Sequence, residues 1–269
     1  MSSSRSSSHH VAGVRYSLPQ LGAGWELPEQ TMPESVLHDE AVSLLKALLA
    51  AWAAQRSDAF VARNLAVRWD ESHPQIGVDP DVCVLSPAPP DPSELKSVRT
   101  WLADHEPPLL AIEVVSESNP HKDYAVAPDK YAACGVSELW IFDPLLAGPR
   151  AHGGPFRLQI WHRGDDGVLV RGYAGEGPAR STVLGAFLVV TAEGRKLRIA
   201  DDEAATRFWL TAEEREREAK EQERKAKEQE RKAKEQEREA KEQEREAKEA
   251  ALARVAELEA ALDREKARR

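Results

Sequence analysis

The sequence predicts an α/β fold with a mixed central sheet, followed by a separate long helix. Three observations carry this expectation. Apolar residues recur at helical spacing between Leu37 and Trp52. Short apolar and β-branched runs then alternate with turn residues and one further helical stretch, as far as residue 199. From residue 211 the chain becomes a charged seven-residue repeat.

The elements follow in order. Residues 1–20 are Ser-rich and aperiodic and read as a disordered leader. Thr31 and Glu34 have capping-box spacing, and Pro33 suits a first helical turn, where its missing N–H does no harm. Leu37, Ala41, Leu44, Leu45, Leu48 and Trp52 then make one wide apolar stripe, so the helix should run to about Ala54. Asn64–Trp69 alternates as a strand does, and residues 76–86, IGVDPDVCVLS, are β-branched on both sides of an Asp-Pro-Asp. Residues 87–93 form a Pro-rich loop. The run LLAIEVV, Leu109–Val115, is nearly continuous and reads as a strand covered on both faces. A helix from about Asp123 to Cys134 should end at Gly135. Leu139–Phe142 is a strand closed by Asp-Pro. Phe156–Arg163 and Val168–Tyr173 flank Gly-Asp-Asp-Gly as a hairpin, and Leu184–Val190 and Lys196–Ile199 are late strands. The expected organisation is a leader (1–20), a globular domain (21–208) and a charged heptad helix (209–269).

Composition separates the last two. The whole chain has 37 Lys+Arg against 46 Asp+Glu, net -9, yet residues 211–269 are about 63% charged and nearly neutral. Ala219, Ala226, Ala233, Ala240 and Ala247 recur every seven residues, with Gln222, Gln229, Gln236 and Gln243 three after the first four. That is a coiled-coil seam of small, weakly apolar residues, strengthened near the end by Leu252, Val255, Leu258 and Leu262. The expected role is homodimerisation; a solvated single helix held by ion pairs is the alternative. No run approaches the ~18 apolar residues of a transmembrane helix. The start, MSSSRSSSHH, lacks the apolar core of a secretory signal. Two cysteines, Cys83 and Cys134, cannot build a disulfide framework, so a reduced, cytoplasmic setting is expected. The acidic balance argues against a constitutive nucleic-acid coat protein. Motifs for a nucleotide phosphate loop, a dinucleotide fold, a Ser nucleophile elbow and an HExxH zinc site are absent.

Two residues stand out. Glu113 is a charge inside an apolar strand, and Asp81 stands at the mouth of another, just before Val-Cys-Val-Leu. Buried carboxylates need a partner or a metal. Two of them from neighbouring strands suit Mg²⁺, which prefers oxygen ligands. Taken singly, Asp81 is also ordinary turn chemistry and Glu113 a possible buried ion pair.

VDPDVCVL, then LLAIEVVSESN, then KYAACGVSELWIFDP, together with the helix ESVLHDEAV, resemble the Uma2 family of restriction-endonuclease-like proteins, in the PD-(D/E)XK nuclease superfamily. The resemblance covers about residues 25–205. It implies a restriction-endonuclease-like sheet flanked by helices, an Mg²⁺- or Mn²⁺-dependent endonuclease and a DNA substrate. Asp81 would be the Asp of the PD pair and Glu113 the acid of the (D/E)XK strand. The expected lysine two residues on is replaced by Val115. The resemblance points instead to a lysine from the following helix, with Lys130 first and Lys122 second. From the first helix His38 would complete the metal site, with Glu40 second. Arg63, Arg68, Lys96, Arg99 and Lys122 are the cations expected along a DNA channel. The rival expectation is a catalytically degenerate fold that acts as a scaffold through its terminal helix; Val115 is the feature that favours it.

Overall fold

A computed structural model describes residues 35–56 and 58–266. The expected leader and the capping box at Thr31 and Glu34 lie outside the described residues. Helix α1 (Val36–Ala53) is capped by Ser35, whose Oγ accepts the His38 N–H at 3.2 Å. There follow β1 (Phe60–Arg63), β2 (Ala66–Arg68), β3 (Gly77–Val78), β4 (Val82–Leu85), β5 (Ser97–Arg99) and β6 (Leu110–Val114). A π-helical turn (Lys122–Val126) leads into α2 (Ala127–Cys134). Then come β7 (Glu138–Phe142), β8 (Leu158–Arg163), β9 (Leu169–Gly175), β10 (Ala179–Ser181), β11 (Ala186–Thr191), β12 (Lys196–Ala200) and α3 (Ala212–Lys266).

The central sheet is mixed and six-stranded, in the order β1-β4-β6-β7-β8-β9. Only β6 and β7 run parallel. Two three-stranded sheets, β3-β2-β5 and β10-β11-β12, complete the unit. One face of the central sheet offers Val82, Val84, Leu110, Ile112, Trp140 and Phe142 to the α1 stripe of Ala41, Val42, Leu45, Leu48 and Leu49, with Leu188 and Ile199 beside them. The other face packs Cys83, Ala111, Val115, Leu139 and Ile141 against Tyr131 and Ala132 of α2 and Val67, Val78 and Val98. The strand Leu109–Val115 reads as continuously apolar because both its faces are covered.

The structure divides the segment 76–86 at its Asp-Pro-Asp. Gly77–Val78 joins the small sheet and Val82–Leu85 the central one, with Asp79-Pro80-Asp81 as the corner between them. The expected helix from Asp123 also divides. Pro128 stands in the first turn of α2, and the preceding residues wind into the wider π turn. Strands β1, β5 and β10 were not foreseen; at three or four residues they are too short to show a period.

Glu138 ties two sheets together. It is fully buried, and its carboxylate accepts Trp140 Nε1–H at 2.6 Å, Ser181 Oγ–H at 2.5 Å, and the backbone N–H (2.9 Å) and hydroxyl (2.8 Å) of Thr182. His162 Nδ1 lies 3.1 Å away. Every lone pair is used, which is how a buried charge is tolerated.

The contacts divide the chain into one unit ending at Ala212 and a second beginning at Glu213. The second unit is the helix. From Arg215 onward every residue whose side chain is described is exposed. Lysines pair one turn back along it, as in Glu221–Lys225 at 2.7 Å, Glu223–Lys227 at 2.6 Å and Glu228–Lys232 at 2.9 Å. Among the described residues no helix is long and apolar enough to cross a membrane.

Candidate active site

The geometry begins with strand register. In the antiparallel pair β4–β6 the outermost partners are Val82 and Ile112. Asp81 directly precedes Val82 and Glu113 directly follows Ile112, so the two carboxylates stand at the same end of this pair, close enough for the charge of Asp81 to act on Glu113. The corner before Asp81 is held from β1. Asn64, in the left-handed region at φ 51°, donates its N–H to Pro80 O at 3.1 Å. Asp81 Oδ2 then accepts the Val114 N–H at 2.7 Å, the position of a ladder rung, and lies 3.3 Å from Nε2 of the buried His38.

Glu113 is 3% exposed. Tyr131, fully buried on α2, donates its hydroxyl to Glu113 Oε1 at 2.5 Å. Lys122 Nζ stands 3.6 Å from Glu113 Oε2 and 3.8 Å from Asp123 Oδ1. Burial pushes the Glu113 carboxyl up to about 8, against the pull of Lys122, and the charges of Asp81 and Asp123 push the same way. Burial likewise lifts Asp123 to about 7, with Lys122 again opposing and Asp81 adding to it. The Lys122 amine is held above its ordinary range, chiefly by Glu113. Glu113 and Lys122 border a cavity of about 90 Å³ with Asp79, Lys130 and Tyr131 also in its wall. Burial, aided by the charge of Lys122, lowers the Lys130 amine.

Two further anchors aim this set. Tyr124, in the π turn, donates to Asp143 Oδ2 at 2.9 Å, and Asp143 also accepts the Ala147 and Gly148 N–H groups at 2.9 and 2.8 Å. A Cβ on Gly148 would fall 2.2 Å from the Tyr124 ring, so glycine is required for this approach. At the other end of α2, the Arg163 guanidinium donates to Ala132 O at 2.6 Å and Val136 O at 2.8 Å, capping the helix that carries Tyr131.

The structure thus brings together His38, Asp81, Glu113 and Lys122. Glu40 is exposed: it lies two positions after His38, about 200° around the helix, so both cannot face inward. Lys122, the second-choice lysine, is the one at ion-pair distance from Glu113; Lys130 lines the cavity wall. Val115 is buried in the apolar layer against α2. Arg68 leaves the DNA-facing set, because it is buried, donates to Val67 O and Val78 O, and pairs with Asp79 at 3.0 Å. Arg63 is engaged by Asp39. Asp123, Tyr131 and Asp143 were missed as site or supporting residues, Asp143 having been read as a strand-end turn residue.

Among the described residues no group of three or more His, Cys, Asp and Glu has the spacing of a metal cage. Two hard carboxylates at one end of a strand pair still fit Mg²⁺, which is usually held by one or two carboxylates, with waters and substrate phosphate filling its other positions.

A solved structure described as "a putative nuclease belonging to DUF820" from Anabaena variabilis is similar at 11% identity and a TM-score of 0.41, over 59% of this chain and 79% of that one. No curated protein matches the chain. The family model Uma2, described as "Putative restriction endonuclease", matches residues 26–152, a stretch that includes His38, Asp81, Glu113, Lys122 and Tyr131. Over those residues this chain matches the restriction-endonuclease family that its own motifs resemble.

Proposed function

We propose that the globular unit is a nuclease that hydrolyses DNA phosphodiester bonds with a divalent ion, Mg²⁺ or Mn²⁺, held at Asp81 and Glu113. The observation that carries this reading is that these two acids stand at the same end of the β4–β6 pair, each with one oxygen tied back by the protein. An ion bound there would acidify a water and offset charge on a phosphate. The chain's own groups do the positioning. Val114 N–H and His38 fix Asp81, leaving Oδ1 for the site. Tyr131 fixes Glu113, leaving Oε2 toward the cavity and Lys122. Lys122 supplies the positive charge for the pentavalent phosphate. Because the body is acidic overall, DNA would be held through a local set of cations, and binding should then weaken steeply with salt.

The test is nicking of supercoiled plasmid with Mg²⁺ or Mn²⁺ by the full chain and by Asp81→Ala and Glu113→Ala. Loss in both variants supports the reading, and equal cutting by all three rejects it. Matched DNA and RNA substrates separate the two nucleic acids. A scaffold role is favoured by one observation, the burial of Val115 where the motif expects lysine. A metal-independent, uncleaving protein would be its outcome.

For α3 we propose a homodimeric coiled coil. Leu252, Val255 and Leu258 are 67%, 51% and 58% exposed on a helix with a seven-residue repeat, and a second copy would cover them. Removing residues 213–269 should convert a dimer to a monomer in solution; a full chain with the mass of one copy means a lone helix.

A further inference from the structure

Lys122 occupies the place that a bound cation would compete for. Its amine lies within 3.6 Å of Glu113 and 3.8 Å of Asp123. The charges of Asp81 and Asp79 act on it as well, and Lys130 is the opposing cation in the same cavity wall. Asp123 Oδ1 is buried and accepts no hydrogen bond, so the lysine is its countercharge. The Lys122 side chain is itself 52% exposed and rises from the π turn beside the cavity. It can therefore swing outward by rotamer change alone, whereas Glu113 and Asp123 cannot. An ammonium and a divalent ion on the same carboxylate oxygen would repel strongly. Conversely, loss of the ammonium without a replacement would strand two buried carboxylates.

We infer that Lys122 is a resident counter-ion that a divalent cation displaces from Glu113 and Asp123, and that the displaced ammonium is then the one offered to the substrate phosphate. This rests on the metal reading given above. It assigns Lys122 two successive partners and explains why the carboxylates do not stand as an open cage.

Amine labelling of the full-length protein tests it without turnover. The protein is treated with an acetylating ester with and without saturating Mg²⁺ at constant ionic strength, and each lysine is read by peptide mass spectrometry. Mg²⁺ binding is measured in parallel by calorimetry. Labelling of Lys122 should rise at least about threefold with Mg²⁺ while Lys227 of the exposed repeat is unchanged, because release from an ion pair exposes the amine. In Lys122→Met, Mg²⁺ should bind about tenfold more tightly, measured at a pH high enough to keep the carboxyls ionised. Saturable Mg²⁺ binding with unchanged or reduced Lys122 labelling overturns this inference alone. No saturable binding by the wild-type chain overturns the metal reading and this inference together. Should Lys122→Met fail to fold, the wild-type labelling decides.

Discussion

The globular unit and the terminal helix use charge in opposite ways. In the first, Glu113, Asp123, Glu138 and Asp143 are buried; Tyr131, Ser181 and Tyr124 reach Glu113, Glu138 and Asp143 from other elements, and Lys122 serves both Glu113 and its neighbour Asp123. In the second, Glu and Lys repeat every turn in full exposure, and each pair looks like its neighbour. A buried charge is unfavourable unless its surroundings are built for it, so its substitution has a large and particular effect. An exposed pair on a helix contributes only ~0.3–0.5 kcal/mol, so any one of them is replaceable.

The largest expected effect tests the catalytic half of this contrast. On the proposed reading, Asp81→Ala and Glu113→Ala should each lower metal-dependent cleavage by ~10³-fold or more, since each would remove an ion ligand rather than packing. Their melting midpoints should stay within a few degrees of wild type or rise. A fall in both cleavage and midpoint would make these acids structural. Glu138→Gln should do the reverse. It leaves cleavage intact per folded molecule and lowers stability by ~2–4 kcal/mol, because several donors lose a charged acceptor. That corresponds to about 5–15 °C for a domain of this size, read by thermal denaturation.

A third test uses pH. Folding lifts both Glu113 and Asp123 above their ordinary values, to about 8 and about 7. In that interval the folded chain holds protons that the unfolded chain has released. Their contribution is therefore complete below about pH 4 and is lost as pH rises through 7 and 8. The metal-free protein should melt several degrees lower at pH 8 than at pH 5, and Glu113→Gln should flatten the slope. A slope unchanged by that variant would remove Glu113 as its source. The smallest effect belongs to the helix. Glu228→Gln breaks the Glu228–Lys232 pair and should cost about 0.3–0.5 kcal/mol, visible at most as a slight loss of ellipticity on heating.

Much of this was legible from the sequence, for identifiable reasons. Glu113 is conspicuous because nothing around it in the strand is polar, and Asp81 because it closes a turn against an apolar run. The stripe of α1, the hairpin of β8 and β9 and the long helix follow from spacing alone. Tyr131 and Asp143 were hidden because their roles come from tertiary approach. Tyr131 looks like any aromatic core residue, and Asp143 before Pro144 looks like any strand end. Asp123 was hidden by its neighbour: Lys-Asp at the start of a helix reads as surface polarity. That Lys122 rather than Lys130 stands at ion-pair distance from Glu113 has a related cause, since the π turn changes which residues face inward and no residue type signals it.

The bond from the Val114 amide to the Asp81 carboxylate has a mechanical consequence. A side chain there closes the last rung between two strands, so chemistry and alignment hang on one atom pair. Sliding β4 by a single residue would turn Asp81 toward the opposite layer and leave that amide bare. Misaligned chains are thereby penalised at the very spot where alignment is needed.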